Sequence, residues 1–509
     1  MNQLGFPILS TLMVVPLVGA LVVGLIQPAE RQAIKIVALL TTLATLALSL
    51  PLYFSFVTGD PGFQFEEQLL WIQISNLTVY YHVGIDGISL FLVLLTTFLT
   101  AIAVLSSWNA ISERLKEYMI LMLALETAML GVFVSLDLFL FYVFWEVSLI
   151  PMAFLIGLWG SKKRVYAAIK FVIYTFVGST LMLVAIIAVY LQGGSSDLSD
   201  LLGLNLPENA QIWLFFAFAL AFAVKVPLFP LHTWLPLAHV EAPTAGSILL
   251  AGVLLKMGTY GYLRFANPLF PAGLAFWAPL LSILAIIGII YGALVALAQE
   301  DVKSLVAYSS VAHMGFIVLG IFSGGLLGVS GAVMQMVNHG LSTGALFLLV
   351  GVLYERRHTR LIKDYGGIFV KVPIFGAFFL LAVLSSVGLP GLNGFVGEFT
   401  ILLGVFGQNV VYAVLGTFGI VLAAWYLLTA VRRVMFGPLN PDNDTLTDMN
   451  AREIVAALPL VIFFFVLGLF PNLLFDKVNP TAEYLGYSAL REETIDTQYA
   501  IRTVGQSRY

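Results

Sequence analysis

No cysteine occurs among the 509 residues. Its absence excludes disulfide bridges, thiolate zinc sites and thiolate-ligated iron–sulfur clusters. Charge is almost as scarce: Asp, Glu, Lys and Arg make up 10% of the chain. A soluble globular protein carries about 25%. The formal net charge is −4 and no basic cluster appears, so the electrostatic footprint of a nucleic-acid binder is missing. The sequence shows no metal-ligand spacing, no Gly-rich phosphate loop and no recognisable nucleophile–base pair. The opening stretch, MNQLGFPILSTLMVVPLVGALVVGLI, lacks a basic n-region and a small-residue cleavage site. It reads as a retained first helix and not as a signal peptide.

What fills the chain instead is apolar. Hydrophobic residues make up 60% and the mean hydropathy is +0.98. Length alone would suggest several soluble domains, but this composition overrides that and points to an all-α polytopic membrane protein. A bilayer-spanning helix needs about 20 mostly apolar residues. Fourteen segments fit: 5–26, 34–56, 85–106, 118–134, 138–159, 167–191, 211–231, 243–265, 274–297, 303–322, 329–353, 372–403, 410–434 and 454–475. The break between spans 4 and 5, around Ser135–Asp137, is short, and a single kinked helix there is the alternative that would change the count.

The charges test this map, because Lys and Arg concentrate in cytoplasmic loops. The connections after odd-numbered spans carry Arg31, Lys35, Arg114, Lys116, Lys162, Lys163, Arg164, Lys170, Lys303, Arg356, Arg357, Arg360, Lys363, Lys371, Arg432, Arg433 and Arg452. Those after even-numbered spans carry only Arg264. The alternation places both termini on the side away from the cytoplasm or stroma. Lys477, Arg491, Arg502 and Arg508 in the polar tail run against it.

Two spans are irregular. Span 7 reads VKVPLFPLHTWLP and span 12 reads SSVGLPGLNGFVGEF. Proline removes a helix hydrogen bond, and broken backbone at membrane depth is tolerated only inside protein or beside a water-filled cavity. Interrupted helices at corresponding positions of two halves point to inverted repeats around transport sites. Spans 7 and 12 are five apart, an odd number, so the two units would have opposite orientations. The expected organisation is three helices in 1–115, a five-helix repeat in 116–266 (spans 4–8), a second in 272–436 (spans 9–13), span 14 in 450–476 and a polar tail in 477–509.

A charged side chain at the bilayer centre costs about 3 kcal/mol or more, so the ionisable residues inside spans carry information. There are seven: Glu126, Glu146, Lys225, Lys256, His313, His339 and Glu398. Lys225 stands two residues before a proline, where unwound carbonyls would hold an ammonium. A carboxylate such as Glu146, at variable distance from a buried lysine, makes a proton switch. Lys256 suits a relay midway through the membrane. His313 and His339 titrate near neutral pH and bridge Lys256 towards Glu398, with Ser309, Ser310, Ser342 and Thr343 ordering water along the way. Glu398 follows a Gly-rich break where loose backbone would admit water. Other readings stand beside these. Glu126 is equally a hydrogen-bonded contact between helices, the Glu–Lys pair and the two histidines can be satisfied packing groups, and His232, His239 and Glu241 read as solvated or capping loop residues.

FWEVSLIPMAFLIGLWG, KVPLFPLHTWLPLAHVEAPTAGSILLAGVLLKMGTYGYLR, QEDVKSLVAYSSVAHMGF and LPGLNGFVGEF resemble the antiporter-like subunits of complex I, of the chain 4 type, over nearly the whole chain. Glu398 stands where the chain 5 and chain 2 types carry lysine, and the polar tail is too short for the lateral helix of chain 5. The wording is most similar to the cyanobacterial and chloroplast form, which works with plastoquinone in thylakoid membranes; a bacterial inner membrane is the alternative. The resemblance implies a coupling pair at Glu146 and Lys225, a central relay at Lys256, a group nearest the exit at Glu398, and His313 and His339 on the axis between them. It implies a proton-translocating membrane-arm subunit with no flavin, cluster or nucleotide of its own. NAD(P)H or ferredoxin, iron–sulfur clusters and quinone would be handled by other subunits, and the partners would be sister antiporter-like subunits and the bilayer. An Mrp-type Na⁺/H⁺ antiporter subunit and a non-pumping structural subunit are the rival expectations.

Overall fold

The computed structural model describes residues 4–74 and 77–488. Twelve of the described helices are long and apolar enough to cross a membrane. They are α1 (Ile8–Leu25), α2 (Arg31–Ser55), α3 (Gly87–Ala110), α4 (Leu115–Val134), α5 (Leu138–Trp159), α6 (Arg164–Gly193), α10 (Thr244–Leu269), α11 (Pro271–Leu297), α12 (Val302–Ile321), α13 (Leu326–Arg357), α16 (Val410–Met435) and α17 (Ala451–Leu469). The expected span 7 is α8 (Glu208–Lys225) running into a break, and the expected loop beyond it holds a further helix, α9 (Trp234–Glu241); the expected span 12 is two helices, α14 (Pro373–Val387) and α15 (Asn393–Gln408), joined by a break. A four-residue turn of helix, α7 (Leu198–Leu201), and a closing helix, α18 (Asn472–Ser488), complete the α-helices among the described residues.

α4 and α5 are separate helices, not one kinked span. Ser135 is extended, and Asp137 caps α5 by accepting from Phe139 N at 2.8 Å and Leu140 N at 3.1 Å. The two helices lie against each other so closely that a Cβ at Gly131 would enter the Phe144 ring. The most buried helices are α10 and α13, with α3 and α12 close behind, while α2, α6, α16 and α17 leave most of their surface outward. A ring of apolar helices facing lipid around a polar-bearing centre is the arrangement a membrane interior demands.

The expectation of helices alone fails between spans 2 and 3. Strands β1 (Gln64–Ile74) and β2 (Leu77–Ile85) pair as an antiparallel hairpin, with Glu67 opposite Val83 and Leu69 opposite Tyr81. β2 buries Val79 and the run from His82 to Ile85, so its C-terminal end is enclosed on both faces. The hairpin is tied down by polar side chains. Glu67 accepts from Leu9 N at 2.8 Å and Ser10 N at 3.2 Å, so a strand carboxylate caps α1. His82 Nδ1 lies 2.5 Å from Asp197 Oδ2, and His82 Nε2 lies 3.6 Å from Glu66 Oε1. Asp197 also accepts from Ser199 N at 2.9 Å, and its neighbour Ser196 donates to Asp137 at 2.6 Å. The connection after α6 is thereby fastened both to the hairpin and to the α4–α5 corner.

The tail differs from expectation as well. Residues Asn472–Ser488 form α18, so the first part of the expected polar tail is helical. Arg491, Arg502 and Arg508 lie outside the described residues.

Burial pulls the His82 imidazole down, but the hydrogen bond and charge of Asp197 and the charge and hydrogen bond of Glu66 outweigh it and hold the ring above its ordinary value. Burial likewise opposes the Asp197 charge, but the hydrogen bond and charge of His82 and the backbone donors hold its carboxyl below the ordinary value. A raised histidine contributes stability that is complete below about pH 6.5 and fades as pH rises through the higher folded value; a depressed aspartate contributes above about pH 4 and fades as pH falls. Hairpin backbone protection, measured by hydrogen exchange and corrected for intrinsic rate, should therefore be stronger at about pH 6 than at about pH 8.5. His82→Gln should flatten that difference. Equal protection at the two pH values in the wild type would show that the clamp does not hold the hairpin.

Candidate functional site

The seven ionisable residues fall into two connected groups and one isolated residue. The first group sits where α5, α6 and α8 meet. Glu146, on α5, interacts with Ser179, Lys225 and Tyr142. Lys225 is the last residue of α8, buried, and its Nζ has no hydrogen-bond partner among the described residues. Its ammonium faces the Trp145 ring at 5.0 Å and the Phe171 ring at 5.9 Å. A desolvated cation–π contact of this kind is worth about 2 kcal/mol. Glu146 and Lys225 feel each other's charge but form no ion pair, so the structure holds the pair open.

The expectation that carbonyls freed by Pro227 would hold the ammonium is not met, because those carbonyls are taken. Phe222 O accepts from Val226 N at 2.8 Å, Ala223 O from Leu228 N at 2.9 Å and Val224 O from Trp234 Nε1 at 2.9 Å. The expected loop holding His232, His239 and Glu241 is also corrected. Proline is tolerated in the first turn of a helix, and Pro236 stands there in α9, which carries His239 and Glu241. All three residues are buried. Glu241 does cap, accepting from Lys163 N at 2.8 Å.

The second group is a line. Lys256 is fully buried on α10. Two turns of this helix, Leu250–Leu254 and Tyr262–Ala266, are π-helical. Such widened turns release carbonyls and recur at functional sites. Lys256 Nζ donates to the carbonyl of Ala251, inside the first widened turn, and lies 2.6 Å from His339 Nδ1. When Lys256 carries its proton it can only donate, and Nδ1 is then the acceptor; Nε2 of His339 has no partner among the described residues. The His339 and His313 rings are 5.9 Å apart. His313 Nδ1 lies 2.7 Å from Glu398 Oε1, which also accepts from Gln335 Nε2 at 3.0 Å. The whole line is buried.

Glycine brings the two carrying helices together. Gly252 on α10 faces Gly340 on α13, where a Cβ would lie 2.9 Å from the Gly252 carbonyl. Small residues at such crossings let backbones approach, which puts Lys256 within reach of His339. The break before α15 is fixed by polar ties: Ser385 Oγ donates to Asn393 Oδ1 at 2.7 Å, and Asn338 Nδ2 donates to Asn393 O at 2.6 Å. Gly388 turns the chain at φ +80°. The expectation of loose backbone near Glu398 is overturned: a Cβ at Gly394 would strike the Ser385 carbonyl, and one at Gly397 would strike Gln335 and Asn338. Glycine serves close packing here. Ser309 and Ser310 donate to Val306 O, at 2.7 and 3.2 Å, and Thr343 to His339 O, so their protons are engaged on their own helices.

Glu126 joins neither group. It is fully buried on α4, and neither carboxyl oxygen has a partner among the described residues. Hydrogen bonding between helices, the bland alternative for this residue, is therefore not what it does in this structure.

Four functional features escaped the sequence reading. His239 stacks on Phe347 at 4.6 Å and lies within electrostatic range of both Lys303 and Lys256. Lys303, placed in a loop by sequence, is buried at the start of α12 and donates to Ala242 O at 2.5 Å. A cavity of about 710 Å³, bounded by Lys162, Arg164, Glu241, Lys303, Glu355 and Arg360, opens beside them. Gln335 and Asn338 are the fourth feature, and they did leave a signal. They stand four and one residues before His339, and their own spacing of three puts them on one side of α13.

Residues 135–423 match a family described as NADH:quinone oxidoreductase/Mrp antiporter, TM. The chain is 47% identical over 496 residues to NADH-quinone oxidoreductase subunit M of Rhodobacter capsulatus, covering 94% of this chain and 96% of that one. It is 43% identical over 479 residues to NADH-ubiquinone oxidoreductase chain 4 of Marchantia polymorpha, covering 94% and 96%. Among solved structures it is similar to a chain of respiratory complex I from Thermus thermophilus with bound NADH, at TM-score 0.87 and 34% identity over 94% of this chain and 99% of that one. A chain of the Mrp complex from Dietzia shares the fold at TM-score 0.83 and 19% identity, covering 95% of this chain and 99% of that one.

The packing of α10 on the end of α8 sets where Lys225 and Lys256 stand. A Cβ at Gly258 would come within 2.6 Å of Val226 and 2.9 Å of the Phe222 carbonyl, whereas one at Gly246 meets nothing nearer than 3.4 Å. Gly258→Ala should destabilise by about 1–3 kcal/mol through overpacking. Gly246→Ala should be neutral or stabilising by up to about 1 kcal/mol through helix propensity. Thermal unfolding of the purified assembly checks the contrast, and equal midpoints for the two variants would refute it.

Proposed function

The chain belongs to the NADH:quinone oxidoreductase/Mrp antiporter family of membrane subunits, and from that premise we propose that it is the chain 4 type, proton-translocating subunit of the membrane arm of a complex I-like NADH:quinone oxidoreductase. The observation that carries this reading is the buried line Lys256–His339–His313–Glu398. Titratable groups are costly inside a membrane, and four of them in sequence, each within a hydrogen bond or a ring's width of the next, can pass a proton sideways through the molecule. The relatives' names supply the rest of the reading: NADH as donor, a quinone as acceptor, and a large assembly as the setting.

In this proposal the chain holds no redox centre or nucleotide, and quinone is reduced elsewhere. Protons are taken up on the face that carries the basic loops, through the cavity beside Glu241 and Lys303, and pass His239 to Lys256. The open Glu146–Lys225 pair is the switch. When it closes, the lysine keeps its proton; when it opens, as here, Lys225 is stabilised only by aromatic faces and its proton can leave. Glu398 releases the proton on the opposite face. Against a potential of 100 mV one proton costs about 2.3 kcal/mol, the load that this release step carries.

Both termini lie on the release face in this reading, and the units around the two broken helices are inverted repeats. Plastoquinone and a thylakoid membrane are the narrower expectation from sequence wording; the relatives named above carry quinone and ubiquinone in their names instead. A Na⁺/H⁺ exchanger is the second reading, favoured by the fold shared with the Mrp complex. Ion flux in proteoliposomes with and without an electron donor separates the two.

Lys256→Arg keeps the charge but holds its proton, because a guanidinium stays protonated in a protein. In vesicles carrying verified intact complex, protons moved per NADH oxidised should fall by this subunit's share, and Glu398→Gln should lower the ratio equally. A wild-type ratio in both variants would reduce the chain to a structural member of the arm.

A further inference from the structure

Arg264 is the one basic residue that the sequence puts in a loop between spans on the release face, yet the structure puts it in no loop. It lies in the second π-helical turn of α10, 4% exposed, and its Nη2 is ion-paired with Oδ2 of Asp86, which is 1% exposed. Asp86 directly precedes α3 and uses its other oxygen as the cap, accepting from Ile88 N at 3.0 Å and Ser89 N at 3.1 Å. Arg264 Nε donates to Tyr260 Oη at 3.2 Å, and Tyr260 donates onward to Phe133 O at 3.0 Å. The guanidinium lies 4.9 Å from the Phe63 ring. α18 closes over the Asp86 turn: Gly87 N donates to Thr481 Oγ1 at 3.2 Å, and Lys477 O sits so close to Gly87 that no Cβ fits.

Lys256, Tyr260 and Arg264 are spaced by four, so they line one face of α10. α10 begins beside the uptake cavity, where Thr244 forms part of the wall, and runs away from it. A proton on Lys256 that continued along this face would next meet Tyr260, whose proton is engaged, and then the guanidinium. Arginine has no acceptor and does not give up its proton in a protein. A fixed positive charge in a dry constriction repels protons and cations. Asp86 offsets the cost of burying that charge.

We propose that the Arg264–Asp86 pair is an electrostatic plug. It closes the release-face end of α10, so that a proton on Lys256 has no exit beneath its own helix and must leave through His339, His313 and Glu398. The plug rests on the proton-transfer reading above. Arg264, Asp86 and Tyr260 are positioning residues that make the sideways route obligatory; none of them carries the proton.

The experiment uses the intact complex in liposomes. A pH gradient is imposed without electron donor and its decay is followed per assembled complex. A unit charge acting over about 12 Å of protein interior is worth about tenfold in rate, so decay should be about tenfold faster in Arg264→Gln, which leaves Asp86 uncompensated, and faster by a smaller factor in the charge-free double variant Asp86→Asn/Arg264→Gln, which loses only the dipole of the pair. The double variant leaves no lone buried charge, and the amide it introduces before α3 keeps an oxygen for the cap. Arg264→Lys preserves the pair but can release a proton, and should leak to a lesser extent. Adding Lys256→Met should abolish each leak, which a general packing defect would not allow. Assembled variants as tight as the wild type, or leaks indifferent to Lys256→Met, overturn the plug. The two readings separate through Lys256→Arg in the same liposomes. If that variant pumps normally, proton transfer itself fails; if it is dead for pumping while Arg264→Gln stays tight, only the plug fails.

Discussion

An ammonium group in an apolar interior must find acceptors or lose its proton, and much of this molecule is arranged around that demand at Lys256. One acceptor is the Ala251 carbonyl, freed because α10 widens into a π turn. The other is His339 Nδ1 on α13, reachable because Gly252 and Gly340 let the two backbones touch. Once Nδ1 is occupied, the other ring nitrogen is left for the neighbour on the far side. His313 stands there, and Glu398 holds His313 by its own Nδ1. Each link constrains the next, so a single buried charge orders four side chains on four helices.

The two broken helices answer the same dielectric constraint in different ways. The break after Lys225 satisfies its freed carbonyls from nearby, with backbone amides and the Trp234 indole, and leaves the lysine to aromatic rings. The break before Glu398 also uses nearby backbone amides, Leu389 N to Leu384 O and Gly388 N to Ser385 O, adds Asn338 Nδ2 to Asn393 O, and leaves the carboxylate one free oxygen among the described residues. One break carries a lysine amine with no hydrogen-bond partner among the described residues. The other carries a carboxyl group held by His313 and Gln335. In the proposed function that asymmetry suits a switch at one end of the path and a release group at the other.

Polar chemistry outside the path is also confined. On the basic-loop face Arg360 pairs with Asp301 at 3.1 Å and Arg356 with Glu453 at 2.7 Å, around a roomy cavity. On the opposite face the hairpin, the His82–Asp197 clamp and α18 cover the helix ends. One side has a cavity that reaches buried Glu241 and Lys303, and the other is roofed where Arg264 and Asp86 lie beneath it.

Hydropathy and charge are local properties, so the sequence alone determined what depends on them: a polytopic helical membrane protein, the two breaks and, of the seven ionisable residues, the six that the structure brings together in groups. Proline and glycine runs marked spans 7 and 12 because each residue acts on its own backbone. Partner choice is not local, and only the tertiary structure decided it. Nothing in the spacing of Lys225 says that Trp145 and not a carbonyl will face it, and nothing near Glu126 says that it stands apart. Three prolines made α9 read as a loop, although a proline in a first turn is harmless, and so the burial of His239 was hidden. The hairpin was missed because its short alternation lay between two stronger helical signals. Arg264 looked like a loop charge until Asp86, 178 positions earlier, was found beside it. A charge in the sequence carries its cost with it, but the group that offsets the cost is chosen by the fold.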